Sequence, residues 1–207
     1  MAISTYSELQ TAVQNWLDDT NTLPAARCQE FIALAEADFN RRLRTQSQIA
    51  TATGLLSGAT LTLPTDFAAM GSLSLSTGGY SPPLAQMAAN AALEAYSEYI
   101  SGLPAHYVFE GSYLRLYPTP DSGYTYTLRY YAKVPALSDA APTNWLLTAA
   151  PDVYLFGALT HAEGYRVNDQ RLAAWKAQYE TALAQVMGQS AESAIGRGFA
   201  YTEGATP

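Results

Sequence analysis

Charge is scarce in this sequence, and so are the residue types that most often carry chemistry. Only 14% of the 207 residues are charged, two are histidine, and one, Cys28, is cysteine. A single cysteine excludes an internal disulfide, and Cys28 sits in a helical apolar pattern with Phe31 and Ile32, so it reads as a buried thiol. No run of Lys or Arg is longer than Arg41-Arg42 and the net charge is −7. That balance disfavours tight or sequence-specific DNA binding, because phosphate contacts need clustered cations. No segment reaches the about 18 consecutive apolar residues of a spanning helix, so no membrane anchor is expected. The start, MAISTYSELQ, lacks the basic and apolar regions of a secretory leader, and synthesis in the cytoplasm is expected.

The motifs of catalysis are equally thin. His106 follows Pro104-Ala105 at a strand start, and His161 in His161-Ala-Glu163-Gly-Tyr165 lacks the second histidine four residues on that would put two nitrogens on one helix face. No Gly-x-Ser-x-Gly elbow occurs, and Cys28 in its apolar stripe is not presented to a base. Asp18-Asp19 point in different directions at a helix end and read as solvated caps. A glycosidase needs two carboxylates across a cleft, which a sequence alone leaves open. Gly196-Arg-Gly198 and Thr77-Gly-Gly79 lack the strand-to-helix context and the Lys-Ser/Thr of a phosphate loop. The chain therefore reads as non-enzymatic, with no cofactor and no metal.

What is present is apolar and aromatic: 48% hydrophobic residues and 15 tyrosines. Tyrosine buries a ring while its hydroxyl keeps a polar partner, which suits protein interfaces and β-surfaces alike. The length allows one domain with an insertion, and no repeat period indicates a solenoid.

Along the chain, Thr5-Tyr-Ser-Glu8 has the form of a capping box, and Leu9, Val13, Trp16 and Leu17 follow on one helical face to about Asp19. Pro24 opens a second helix, whose stripe is Cys28, Phe31, Ile32, Ala35, Phe39 and Leu43 and whose last turn gathers Arg41, Arg42 and Arg44 against the dipole. From Ile49 to Val134 the pattern alternates in twos. Tyr124–Val134 is the clearest strand, turning Tyr124, Tyr126, Leu128, Tyr130, Ala132 and Val134 to a core face. Tyr113–Tyr117 reads as its hairpin partner, Thr60–Leu63 and Ser72–Leu75 as shorter strands, and Asn90–Ile100 as a short helix with Leu93, Tyr96 and Ile100 on one side. Helices return from Ala150 to about Tyr165 and from Asp169 to Met187, where Gly188 is a natural stop.

The expected fold is α+β. It comprises an α-helical bundle of two N-terminal and two C-terminal long helices, an inserted antiparallel β-domain and an extended C-terminal tail. The boundaries are 1–47 for the N-terminal hairpin, 48–135 for the β-domain, 136–188 for the C-terminal hairpin packing on the N-terminal helices, and 189–207 for the tail. That tail is small and polar, with Ile195, Phe199 and Tyr201 as anchors, and by itself buries little.

The order of parts carries a resemblance. Tyr6-Ser-Glu-Leu9 with Trp16-Leu17, Phe31-Ile-Ala-Leu-Ala-Glu36, Phe39-Asn-Arg-Arg42, Leu63-Pro-Thr-Asp-Phe67, Leu114-Arg-Leu-Tyr-Pro118 with Tyr130-Tyr131, and Leu147–Gly157 with Ala174-Trp175 together resemble the adaptor proteins of tailed phages, especially podovirus-type head-to-tail connectors. The resemblance covers about residues 5–187. It implies a virion neck protein that forms a homo-oligomeric, dodecameric ring, with the portal above and tail or nozzle proteins below. DNA would pass through the lumen unread. The tail lies beyond the resemblance, and its Ile195, Arg197, Phe199 and Tyr201 are expected from their own character to dock on the portal or a neighbouring subunit. Alternatives are a nozzle or tail-completion protein, a carbohydrate-binding tail component and a wall-degrading hydrolase.

Overall fold

The computed structural model describes residues 3–17, 25–56, 58–76, 82–96, 100–166 and 169–195. Two compact units divide the chain: Gln48–Lys133 forms one, and Met1–Ser47 with Val134–Pro207 forms the other.

The second of these is helical. Its elements are α1 (Tyr6–Trp16), α2 (Ala25–Arg42), α4 (Trp145–Ala149), α5 (Pro151–Arg166) and α6 (Asp169–Ile195). Helix α1 starts where its capping box closes, with the Glu8 amide donating to Thr5 Oγ1 at 3.3 Å and the Thr5 amide donating to Glu8 Oε2 at 2.9 Å. The Ser4 hydroxyl and amide, with Thr5, hold the Glu8 carboxyl down at about 2. Leu9, Val13 and Leu17 are buried as the periodicity predicts, and so are all six residues of the α2 stripe. Trp16 departs from that expectation and stands 46% exposed. Helix α4 is absent from the periodicity because five residues are too few to show one. Asn144 makes it, accepting the Leu147 amide at 2.8 Å as the N-cap. These helices share one core in which Phe39, Tyr154, Leu146, Leu159 and Leu183 are central.

The β-unit holds two sheets. The first, ordered β1-β7-β3, joins Ile49–Leu56, Tyr124–Ala132 and Phe67–Ser76, all antiparallel. The second, ordered β2-β6-β5-β4, joins Thr60–Thr62, Tyr113–Tyr117, His106–Glu110 and Ala85–Gln86, with β4 and β5 parallel. Between β4 and β5 lies α3 (Ala89–Ala95). Leu56, Leu73, Leu75, Leu114, Leu116 and Leu128 fill the core of this unit. The core face expected for β7 is the observed one, with Leu128 and Tyr130 buried and Tyr124, Tyr126 and Ala132 packed beside them. Gly111 turns the two-residue β5–β6 loop with a φ of 64°, where a side chain would be strained.

The structure corrects the expected architecture while keeping its α+β class. Instead of four long helices around one antiparallel domain, the described residues form six α-helices and two sheets, of three and four strands, with α1 only 11 residues long and α3 and α4 only 7 and 5. Apolar period marks where a helix can lie, but its length is decided by where packing and caps stop. The expected β6–β7 hairpin is also overturned, since β6 pairs with β2 and β5 while β7 lies in the other sheet between β1 and β3. The turn-rich Pro118–Gly123 segment therefore passes from one sheet to the other. Nor does the final helix stop at Gly188, because α6 continues to Ile195. Gly188 has nothing within 4 Å of a Cβ position, and its neighbours Ala, Gln, Ser and Glu tolerate the helix.

Candidate functional site

In the helical unit, the chain's return from the β-unit is received by two α2 side chains one turn apart. Asn40 Oδ1 accepts the Val134 amide at 2.7 Å, and Glu36 Oε1 accepts the Leu137 amide at 2.8 Å. Tyr154 Oη donates to the same Glu36 oxygen at 3.3 Å and accepts from Asn144 Nδ2 at 2.6 Å. Burial raises the Glu36 carboxyl above the ordinary carboxylate range, and burial likewise raises the Tyr154 phenol. Each of these polar groups has its partner inside the unit, so the network holds the strap over Val134–Asn144.

A second polar knot ends α2. Asp38 accepts from Tyr179 Oη at 2.9 Å, Arg41 at 3.2 Å and Arg42 at 3.3 Å, while Arg42 also donates to both carboxylate oxygens of Glu180. Burial by itself would raise the Asp38 carboxyl, but those hydrogen bonds outweigh it and hold it low. Arg44 donates to the Asn40 and Leu43 carbonyls at the helix end. The arginine cluster is thus tied to carboxylates and carbonyls of its own unit at the end of α2.

Trp16, Phe156 and Trp175 meet where α1, α5 and α6 come together, with ring centroids 5.3 to 6.1 Å apart. Trp175 Nε1 is buried there, and among the described residues it has no hydrogen-bond partner.

The β-unit presents a cavity of about 490 Å³ lined by Leu93, Tyr96, Ile100, Glu110, Arg115 and Tyr117, among others. Leu93, Tyr96 and Ile100 all line the groove, but not as one face of the expected 90–100 helix: α3 ends at Ala95, Tyr96 is extended, and Ala92 takes the buried position. Tyr96 stacks on Tyr117 at 5.8 Å and donates to or accepts from His106 Nδ1 at 2.6 Å. Arg115 Nε donates to Glu110 at 2.8 Å, which lowers the Glu110 carboxyl. Glu110 and Arg115 are a cross-strand pair that no sequence motif announced; the β5–β6 register puts them together.

Of the tail residues read as docking anchors, Ile195 is the last residue of α6, and Arg197, Phe199 and Tyr201 lie outside the described residues. His106 bonds Tyr96 in the β-unit, and in the helical unit burial in α5 lowers the His161 imidazole pKa. Among the described residues no group of three or more His, Cys, Asp or Glu is placed to hold a metal ion. No helix among them is long and apolar enough to cross a membrane.

The polar networks described in the two units hold the fold, while apolar side chains such as Leu55 and Leu93 are left at the surface, a pattern shared with structural proteins that work by contact. The family model of the SU10 adaptor protein matches residues 4–200, and the chain belongs to that family. It is a phage adaptor protein, a structural virion component with a connector role. No curated protein matches it.

Proposed function

We propose that this protein is the head-to-tail adaptor of its phage, a ring, dodecameric by correspondence with the portal, that joins the capsid to the tail and lets DNA pass. The observation that carries the reading is the family match over residues 4–200, which takes in both units and not one of them alone. The net charge of −7 supports it, because an acidic chain repels the duplex and lets it slide without sequence-specific contact. The portal lies above the ring and tail or nozzle proteins below. The segment carrying Ile195, Arg197, Phe199 and Tyr201 docks on the portal or on a neighbouring subunit: its aromatics supply buried area at low entropic cost and Arg197 a charged hydrogen bond.

Light scattering and negative-stain imaging of the full chain, alone and mixed with the portal protein of the same phage, test this. Rings, or a portal-dependent change from monomer to ring, are the expected result. A monomer that ignores the portal under all conditions would overturn it. Truncation after Ile195 leaves α6 whole and is expected to abolish portal attachment; unchanged attachment would sink the docking role of the tail.

A further inference from the structure

The free sheet edges of the β-unit are not alike. Natural proteins guard such edges by keeping them short, bulged, charged or covered, because a row of unpaired N–H and C=O groups is a template for another strand. Strands β2 and β4 are edges of only 3 and 2 residues. Strand β3 carries register shifts at Phe67/Ala69 and Met70/Ser72, is bridged at Ser74 by Pro83, and accepts the Leu84 amide on Leu73 at 2.7 Å. Strand β1 has none of these devices. Its eight residues, Ile-Ala-Thr-Ala-Thr-Gly-Leu-Leu, run in unbroken register along β7 with no proline and no charge. Every second residue of an antiparallel edge turns both main-chain groups outward, and among the described residues nothing pairs with them on that side. Thr51, Thr53 and Leu55 are exposed, Leu55 by 71%.

Charge says what covers this edge. A chain of net charge −7 repels copies of itself, so a self-contact must fall where charge is lowest. From Thr45 to Thr65 there is no charged residue, and from Phe67 to Leu93 there is none either. The one charge between these stretches, Asp66, accepts from Tyr130 Oη at 3.0 Å. Strands β1 to β4 all lie in this interval, so every free edge of both sheets is uncharged. An uncharged edge attracts no acidic or basic partner, but it lets a second acidic copy approach without penalty and be held by main-chain hydrogen bonds.

We propose that the outer edge of β1 pairs with an uncharged edge of a second copy of this chain, so that neighbouring subunits are joined by a shared sheet. This rests on the ring reading above and names the contact that builds the ring. The contact is heterologous, as a closed ring requires: the long open edge of β1 meets one of the short uncharged edges, β2 or β4, of the next copy.

Hydrogen exchange of the full chain, alone and assembled on the portal protein of the same phage, reads the edge directly. Alternate β1 amides are expected to slow by about tenfold or more on assembly. The variant T51K/T53K, which places two like charges on the strand, is expected to lower ring yield about tenfold while its far-ultraviolet spectrum and melting stay those of the parent. Rings whose β1 amides exchange as in the monomer, with T51K/T53K assembling normally, would overturn the edge contact and leave the ring reading standing. A chain that never forms rings would remove both. Slowing of β1 in a portal complex that carries single copies of the chain and no ring would show the portal on this edge, which overturns pairing between copies. Should T51K/T53K fail to fold, exchange of the unaltered chain still decides.

Discussion

In the helical unit a carboxylate, a phenol and an amide are satisfied inside the fold, whereas in the β-unit large apolar side chains stand in solvent. Glu36 is 8% exposed and Tyr154 is fully buried, while Leu55 and Leu93 are each 71% exposed. Ile100, Leu103 and Phe109 add to the exposed apolar surface of the β-unit; in the helical unit Trp16, Leu34 and Met187 do so. A buried polar network demands one arrangement, because any other leaves a desolvated group without a partner. Exposed apolar side chains beside an unguarded strand demand nothing of the monomer and suit a surface that another chain will cover. The helical unit is built to be specific within itself, and the β-unit is the one that the proposed pairing between copies would complete.

The sharpest way to break that comparison is to empty each core in turn. Leu159→Ala and Leu128→Ala are each expected to cost about 2–5 kcal/mol, since both side chains are buried, one in each core. Amide exchange should show the loss in the unit that holds the mutation; equal loss in both units would deny that they are separately ordered.

Gly71→Ala tests the crowded side of the β-unit. A Cβ there would sit 2.8 Å from the Arg129 carbonyl oxygen, so the strands must part. A loss of about 1–3 kcal/mol is expected by denaturant unfolding. Gly188→Ala, in open space on α6, should instead gain about 0.5–1 kcal/mol.

Glu36→Gln sharpens the claim about the buried network. Burial raises the folded-state pKa of this acid, so its contribution to stability is whole at pH below the ordinary carboxylate range and falls as pH rises through the raised value. The amide keeps an oxygen for Leu137 and Tyr154 but cannot ionise. Stability of the variant relative to the parent should therefore climb with pH above the ordinary carboxylate range, measured by urea unfolding across a pH series. A parallel pair of curves would mean that Glu36 is not buried as described.

The smallest effect belongs to the surface. Glu180→Gln removes one partner of Arg42 at a half-exposed site and should cost no more than about 0.2–1 kcal/mol, less at high salt.

Much of the helical unit was legible in advance. The capping box at Thr5 and Glu8, the α2 stripe and the start of α5 are local patterns, and each lies where the spacing put it. The buried side of β7 was legible for the same reason, since alternation is a property of neighbours along one strand. What failed were inferences about distance in space. Turn residues between β6 and β7 suggested a hairpin, yet the two strands entered different sheets, and Gly188 suggested a stop that α6 ignores. The groove was not legible: the 90–100 helix expected to carry Leu93, Tyr96 and Ile100 ends at Ala95, and the ion pair depends on a cross-strand register that nothing local announces.

Composition and spacing by themselves determined the acidic balance, the α+β class, the core stripes and the order of parts that marks an adaptor, because each depends only on which residues stand near one another along the chain. Tertiary structure alone decided which strands share a sheet, how far α6 runs and which edge of the β-unit is left open. Those depend on pairings between distant segments, where the free energy of closing the chain and of burying each face together selects one arrangement among many that the same local patterns allow.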